Sequence, residues 1–252
     1  MSTTRTSVSL LAVLLATAPA LAAQRVTIIT DSLAAHAERL NVQQGAQWLG
    51  QIARWRFSDY TVVSSKGGWT ATSTSGRFFN VEGAASEKFS FVLANHTGDS
   101  AVVNAARHVM VQALRTLQLG HGWSIGSDEV VQEIDNFIAL VNVAGDTTET
   151  WALFIGVTQG DNTVGHYDAF LTNGTRRIFL ATASSNRDIS DLRGPPALGY
   201  EFIEGGQSLG AVQFFGGAAG RAPIVWLRTG LDARTKLIVA AAMTAVLQVR
   251  SL

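Results

Sequence analysis

The sequence predicts a mixed α/β fold, a parallel sheet flanked by helices with an antiparallel hairpin insertion in its second half. Three observations predict it: strand-like and helix-like stretches alternate in the first half, short strands punctuated by Gly, Asn and Asp fill most of the second, and a long apolar helix ends the chain. Hydrophobic residues make up 47% of the 252 positions and charged ones 15%, a composition suited to a packed core rather than to disorder.

Val26 to Thr30 is a short β-branched run, read as the first strand. From Leu33 to Arg56, apolar residues recur at helical spacing around Leu40, Trp48, Leu49, Ile52 and Trp55. Tyr60 to Ser64 and Phe89 to Ala94 read as two further strands, the first closed by Lys66-Gly67-Gly68-Trp69. The nearly continuous apolarity of Phe89 to Ala94 suits a strand covered on both faces. Ala101 to Leu119 carries Val102, Ala105, Val109, Ala113 and Leu117 on one helical face, and Gly120 stops it. Ser127-Asp128 is positioned to cap another helix from Glu129 to about Ile138, running on into a strand from Ala139 to Val143. The order up to here is β-α-β-β-α-α-β.

The character then changes. Trp151 to Val157, His166 to Leu171, Arg177 to Ala183, Tyr200 to Ile203 and Val212 to Phe215 are short strands joined like hairpins. Pro223 to Leu227 adds another apolar strand. Thr229 to Val249 reads as the final helix, with Thr229 and Asp232 in capping positions and a centre, Leu237 to Val246, apolar nearly all round.

Met1 to Ser7 is polar with one cation, Arg5, and Val8 to Leu21 is almost wholly apolar. Ala20-Leu21-Ala22 then offers a small-x-small cleavage pattern, so residues 1–22 read as a signal peptide and 23–252 as a single α/β domain, secreted or periplasmic. The apolar stretch is short for a bilayer span, and Pro19 interrupts it, so no integral membrane segment is expected. The chain has no cysteine, hence no disulfide framework and no thiolate metal site. Its 19 basic and 19 acidic side chains form no like-charge run, which argues against a nucleic-acid partner. Lysine occurs only at positions 66, 88 and 236; the other basic residues are arginine. The five histidines lack zinc-type spacing, and neither a metal nor another cofactor is expected.

Thr30-Asp31-Ser32-Leu33, at the end of the first strand and before a helix, resembles the first block of the SGNH (GDSL-type) esterase and lipase family. Val62 to Thr70, with its Gly67-Gly68 turn, is similar to the family's second block, and Leu93-Ala94-Asn95 to the third. The resemblance implies an SGNH/flavodoxin-like three-layer fold and a serine nucleophile, Ser32. A backbone N–H at Gly67 or Gly68 and the Asn95 amide would form the oxyanion hole. It implies as substrate an acyl ester of a lipid, a glycan or a small molecule. The chain departs from the family at the glycine before Asp31, at the glycine of the third block, and at the fourth block, since Asp-x-x-His occurs nowhere. A base must then come from elsewhere, and His166 or His121, both in Gly-rich surroundings, are the candidates.

Each of these residues also has an ordinary reading. Asp31-Ser32 suits a helix N-cap, Gly67-Gly68 a turn, and Asn95 a strand-end turn. Asn95-His96-Thr97 and Asn173-Gly174-Thr175 match glycosylation sequons, and the six tryptophans suit a core, with Trp69 and Trp123 in turns. The expectation is therefore a secreted SGNH-like hydrolase, active or reduced to a pseudoenzyme. Its alternative is a non-enzymatic exported or particle-surface protein, virion structural proteins included, that binds a partner through the hairpin region. Substrate and oligomeric state stay open.

Overall fold

The computed structural model describes residues 25–45, 52–67, 71–77, 80–114, 117–118, 124–125, 129–146, 148–160, 163–186, 195–217, 220 and 222–250. In chain order these form α1 (Asp31–His36), β1 (Ala37–Asn41), β2 (Gln43–Gln44), β3 (Trp55–Phe57), β4 (Tyr60–Gly67), β5 (Ala71–Arg77), β6 (Asn80–Ala94) and β7 (Ser100–Leu114). There follow β8 (Leu117–Gln118), β9 (Ser124–Ile125), β10 (Glu129–Val143), β11 (Thr150–Gly160), β12 (Thr163–Thr172) and β13 (Arg177–Ser184). The chain continues as β14 (Ala197–Glu204), β15 (Gln207–Gly216), β16 (Ile224–Arg228) and α2 (Ala233–Val249).

The strands make one 14-stranded sheet in the order β1-β16-β15-β14-β13-β12-β11-β10-β7-β6-β4-β3-β2, with β5 paired to β6 off this path and β8-β9 apart. The two ends of the path, β1 and β2, are separated in the chain by Val42 alone. Consecutive Cα atoms are about 3.8 Å apart, so Asn41 and Gln43 lie within roughly 8 Å and the sheet has to curl until its edges meet. It is a nearly closed barrel. One stretch of chain pairs with β16 through Ala37↔Arg228 to Asn41↔Ile224, and with β3 through Gln43↔Arg56 and Gln44↔Trp55.

The barrel is filled by α2. Asp232 caps it, its carboxylate accepting from the Thr235 N–H at 2.9 Å, and the helix is buried from Leu237 to Val249. A helix buried on every side needs apolar partners all round, and the alternating inward residues of the strands supply them. Phe89, Phe91 and Leu93 of β6, Phe137, Ala139 and Val141 of β10, and Trp151, Leu153 and Ile155 of β11 belong to the same core as Ile238, Met243 and Val246. Polar groups inside include the Trp55 indole N–H, which donates to Gln248 Oε1 at 3.1 Å, and the Thr244 hydroxyl, which donates to the Ala240 carbonyl at 2.8 Å.

Residues 25–36 lie outside the barrel, over β14 to β16. Leu33 packs with Ala211, Ile224 and Trp226 in a second, smaller core, joined by Val26 and Ile29. Glu201, buried on this face, accepts hydrogen bonds from the Thr30 hydroxyl at 2.7 Å and from Ser208. The Thr27 N–H donates to Gln213 Oε1 at 2.8 Å.

The α/β fold with a parallel sheet, and with it the SGNH/flavodoxin-like three-layer architecture implied by the resemblance, is therefore corrected: the chain is almost entirely antiparallel β, and every pairing among the described residues is antiparallel. Of the expected helix over 101–119, residues 101–114 are strand β7. The helical spacing of Val102, Ala105 and Val109 coexists there with a period of two, Ala101, Val103 and Ala105 buried and Val102 exposed, and β-branched residues fit the pleat. Glu129 to Ile138 likewise belongs to β10. Of the expected helix over 33–56, the described residues form α1, β1, β2 and β3, where Trp55 and Phe57 point inward and Arg56 outward, and Trp48 and Leu49 lie outside the described residues. Val26 to Thr30 is extended but crosses the outer face instead of entering the sheet. The strands expected between Trp151 and Leu227 all form, and α2 forms as expected.

Candidate functional site

The residues implicated by the resemblance sit on separate parts of the barrel. Ser32 is exposed in α1, against β15 and β16, and its carbonyl oxygen accepts from His36 Nδ1 at 2.9 Å. The cap of α1 is Thr30, whose hydroxyl oxygen accepts from the Leu33 N–H at 3.3 Å. Asn95 closes the β6-β7 turn: its Oδ1 accepts from the Thr97 hydroxyl and the Asp99 N–H at 2.7 and 2.9 Å, and its Nδ2 donates to Asp99. Those bonds are what hold the turn. Gly67 pairs with Phe89, whereas Asn95 follows Ala94, which pairs with Thr61, so the two lie at opposite ends of β4. At about 3.4 Å per residue they are roughly 20 Å apart. His166 is on β12 opposite Thr158, three strands or roughly 14 Å from β15. Gly68, Trp69, His121 and Trp123 lie outside the described residues.

Two concavities occupy other places. The first, of about 350 Å³, opens at the seam where β1 parts from the β3-β4 hairpin. Leu40, Tyr60 and Leu227 line it, Glu38, Asp59 and Lys236 bring charge to it, and His96 adds an imidazole. His96 Nδ1 is 2.5 Å from Asp59 Oδ2, with the His96 side chain 72% exposed, so the pair is a solvated one. Ser58, at the first central position of the hairpin turn, has φ +50°, the single positive value among non-glycine described residues. Burial first, and then the Asp59 and Asp99 carboxylates, push the Tyr60 phenol up to about 12. Hydrogen bonds from Thr97 and Asn95 hold Asp99 below the usual carboxylate range.

The second concavity, of about 480 Å³, is a trough on the outer face of β4, β6, β7 and β10. The register explains its shape. Lys88 pairs with Ala106, which pairs with Ile138; Ser90 pairs with Asn104, which pairs with Leu140. Both rows thus end in a branched aliphatic on β10, and in the first the long Lys88 faces Ile138 across the short Ala106 on β7. Ile138 and Leu140 are 46% and 42% exposed, although Phe137, Ala139 and Val141 between and beside them are buried against α2. Both faces of this segment of β10 are apolar, and one of them meets solvent. The apolar row goes on past the trough, Ile138 pairing with Phe154, Phe154 with Phe170 and Phe170 with Phe179. The Phe154 and Phe170 rings are 5.5 Å apart, and the Arg177 guanidinium lies 3.9 Å from the Phe170 centroid.

Chemically the seam suits a small polar molecule, and the trough suits an apolar one with a charged end. Sequence reasoning passed over the trough because it placed Ile138 in a helix. The signal was present in Phe137-Ile138-Ala139-Leu140-Val141, an unbroken apolar run in which alternation buries one set and leaves the other outward. No helix among the described residues is long and apolar enough to cross a membrane, and no group of three or more His, Asp or Glu among them could hold a metal ion. Compared with protein-family models, curated proteins and solved structures, the chain matches none.

Proposed function

We propose that this chain is an exported, non-enzymatic binding protein: the helix-filled barrel is a rigid scaffold, and the outer trough over β4, β6, β7 and β10 takes up an apolar small molecule. The observation that carries this reading is the exposure of Ile138 and Leu140 along one wall of a 480 Å³ concavity. Ligand sites are concave and mainly apolar, with volumes on the order of 300 to 1,000 Å³. An exposed apolar patch on a folded surface is a mark of such use. The rest of the barrel supports it, since the strands that shape the trough are long, paired on both sides and backed by a packed core. The amino-terminal pattern supports export.

Titration of the purified chain with the neutral dye N-phenyl-1-naphthylamine tests the reading. We expect saturable fluorescence enhancement at one site, weakened at least tenfold by Ile138→Thr with Leu140→Thr, which keep strand propensity at outward positions. Dye binding that is absent, or that is unchanged in the double variant, would refute it.

A further inference from the structure

We infer that the ligand of the trough is a long-chain carboxylate, its head group held by Lys66 and Lys88 and its acyl chain laid across Ala106, Ile138 and Leu140; this rests on the binding reading above. The first support is where the lysines are. The chain has only three, against sixteen arginines, and two of the three line this trough. They stand on neighbouring strands, Lys66 opposite Ser90 and Lys88 two residues before it on β6. Both are exposed, and the trough lining includes no acidic side chain to neutralise them.

Two of the arginines, Arg107 and Arg176, behave differently. Arg107 is bound to Asp135 by two hydrogen bonds of 2.9 Å, and Arg176 to Glu204 by bonds of 2.9 and 2.8 Å, so these guanidinium groups already have carboxylates of their own. Two ammonium groups on apolar stems form a wall that is cationic at its rim and hydrocarbon below. The opposite wall is purely aliphatic. A ligand matching both must be amphipathic, with an anion at one end. The Ser90 hydroxyl and the Asn104 amide, which also line the trough, add neutral polar groups near the head.

Geometry favours a long chain over a short one. From β6 the apolar row crosses β7, β10 and β11 to reach Phe170 on β12, four strand spacings or roughly 19 Å. A short acid would fill the head of this row and leave the remainder wet.

Displacement of N-phenyl-1-naphthylamine from the full mature chain at pH 8 tests the inference, with dodecanoate, hexanoate, dodecanol and dodecylamine as competitors. Dodecanoate should displace the dye at roughly tenfold lower concentration than dodecanol, and hexanoate and dodecylamine should be weaker than either. In Lys66→Gln with Lys88→Gln, dye binding should persist while the preference for dodecanoate over dodecanol disappears. Dye binding with dodecanol or dodecylamine as effective as dodecanoate overturns this inference and leaves the apolar site standing. So does a carboxylate preference that survives both glutamines, or uptake onto anionic phospholipid vesicles that free dodecanoate does not reverse. Failure of the dye to bind the unmodified chain overturns the binding reading itself.

Discussion

Replacing isoleucine by alanine at two positions should separate the inside of the barrel from its outside. Ile238 in α2 is 2% exposed and Ile138 in β10 is 46% exposed, yet the two residues lose the same atoms. At about 0.8 kcal/mol per buried carbon, truncation of Ile238 forfeits about 2.4 kcal/mol of transfer free energy. A cavity term adds to this, because α2 packs against β7, β10, β15 and β16, whose hydrogen-bonded pairing hinders collapse onto the space left behind. The expected total for Ile238→Ala is about 3 to 4 kcal/mol. Ile138→Ala loses about half the transfer term and leaves no enclosed void, so about 1 to 1.5 kcal/mol is expected, part of it strand propensity. Urea melts of the two variants beside the parent chain, fitted with a common slope, measure both values. Losses equal within about 0.5 kcal/mol would refute the enclosure of α2, and with it the account of the barrel as a shell around a helix.

Two further outcomes concern the end of the barrel at which α2 begins. Ser58→Gly should raise stability by about 0.5 to 1 kcal/mol in the same melts, since glycine relieves the +50° φ at the hairpin tip; a loss would show that the serine side chain stabilises the turn. Asp232, Glu204 and Glu149 are held below the usual carboxylate range, chiefly by the Thr235 N–H, the Arg176 guanidinium and the Asn173 amide respectively. The folded state favours their ionised forms, so this stability is present above the unfolded carboxylate values and is lost as pH falls below about 4 toward the folded ones. Thermal melts from pH 7 to pH 3 should show the decline, and Asp232→Ala, costing about 1 kcal/mol at neutral pH, should make it shallower; a pH-independent midpoint would contradict the assignment.

The second half of the fold was legible because its turns announce themselves. Gly174 and Gly205-Gly206 supply positive φ at the β12-β13 and β14-β15 turns, and the strands between are short enough for no helix to compete. The last helix was legible because Leu237 to Val246 is apolar on every side, a pattern that no half-exposed strand would carry. The first half was misread for a physical reason. In β7 and β10 the apolar residues satisfy both periods, and what decides between them is the partner strand, which sequence spacing does not show. Misplacing those two strands hid the trough, since Lys88, Ala106 and Ile138 become neighbours only through the register of β6, β7 and β10. The scarcity of lysine was visible; that two of the three share one hollow was not.

The joining of the barrel's edges by Val42 has a consequence for how the chain can be completed during synthesis. His36 is hydrogen bonded to Thr229, 193 positions later in the chain, and among the described residues β1 pairs only with β16. Loop closure over such a span is costly in entropy and slow, so this contact belongs late in folding. The helix that fills the interior also emerges after every strand of the barrel. A chain threaded amino end first therefore holds an open, coreless sheet, its inward aromatic and aliphatic faces wet, until residues 224–249 arrive to supply the final strand and the core together. Closure of the barrel is bound to the delivery of α2, and until then the nascent sheet depends on protection from aggregation.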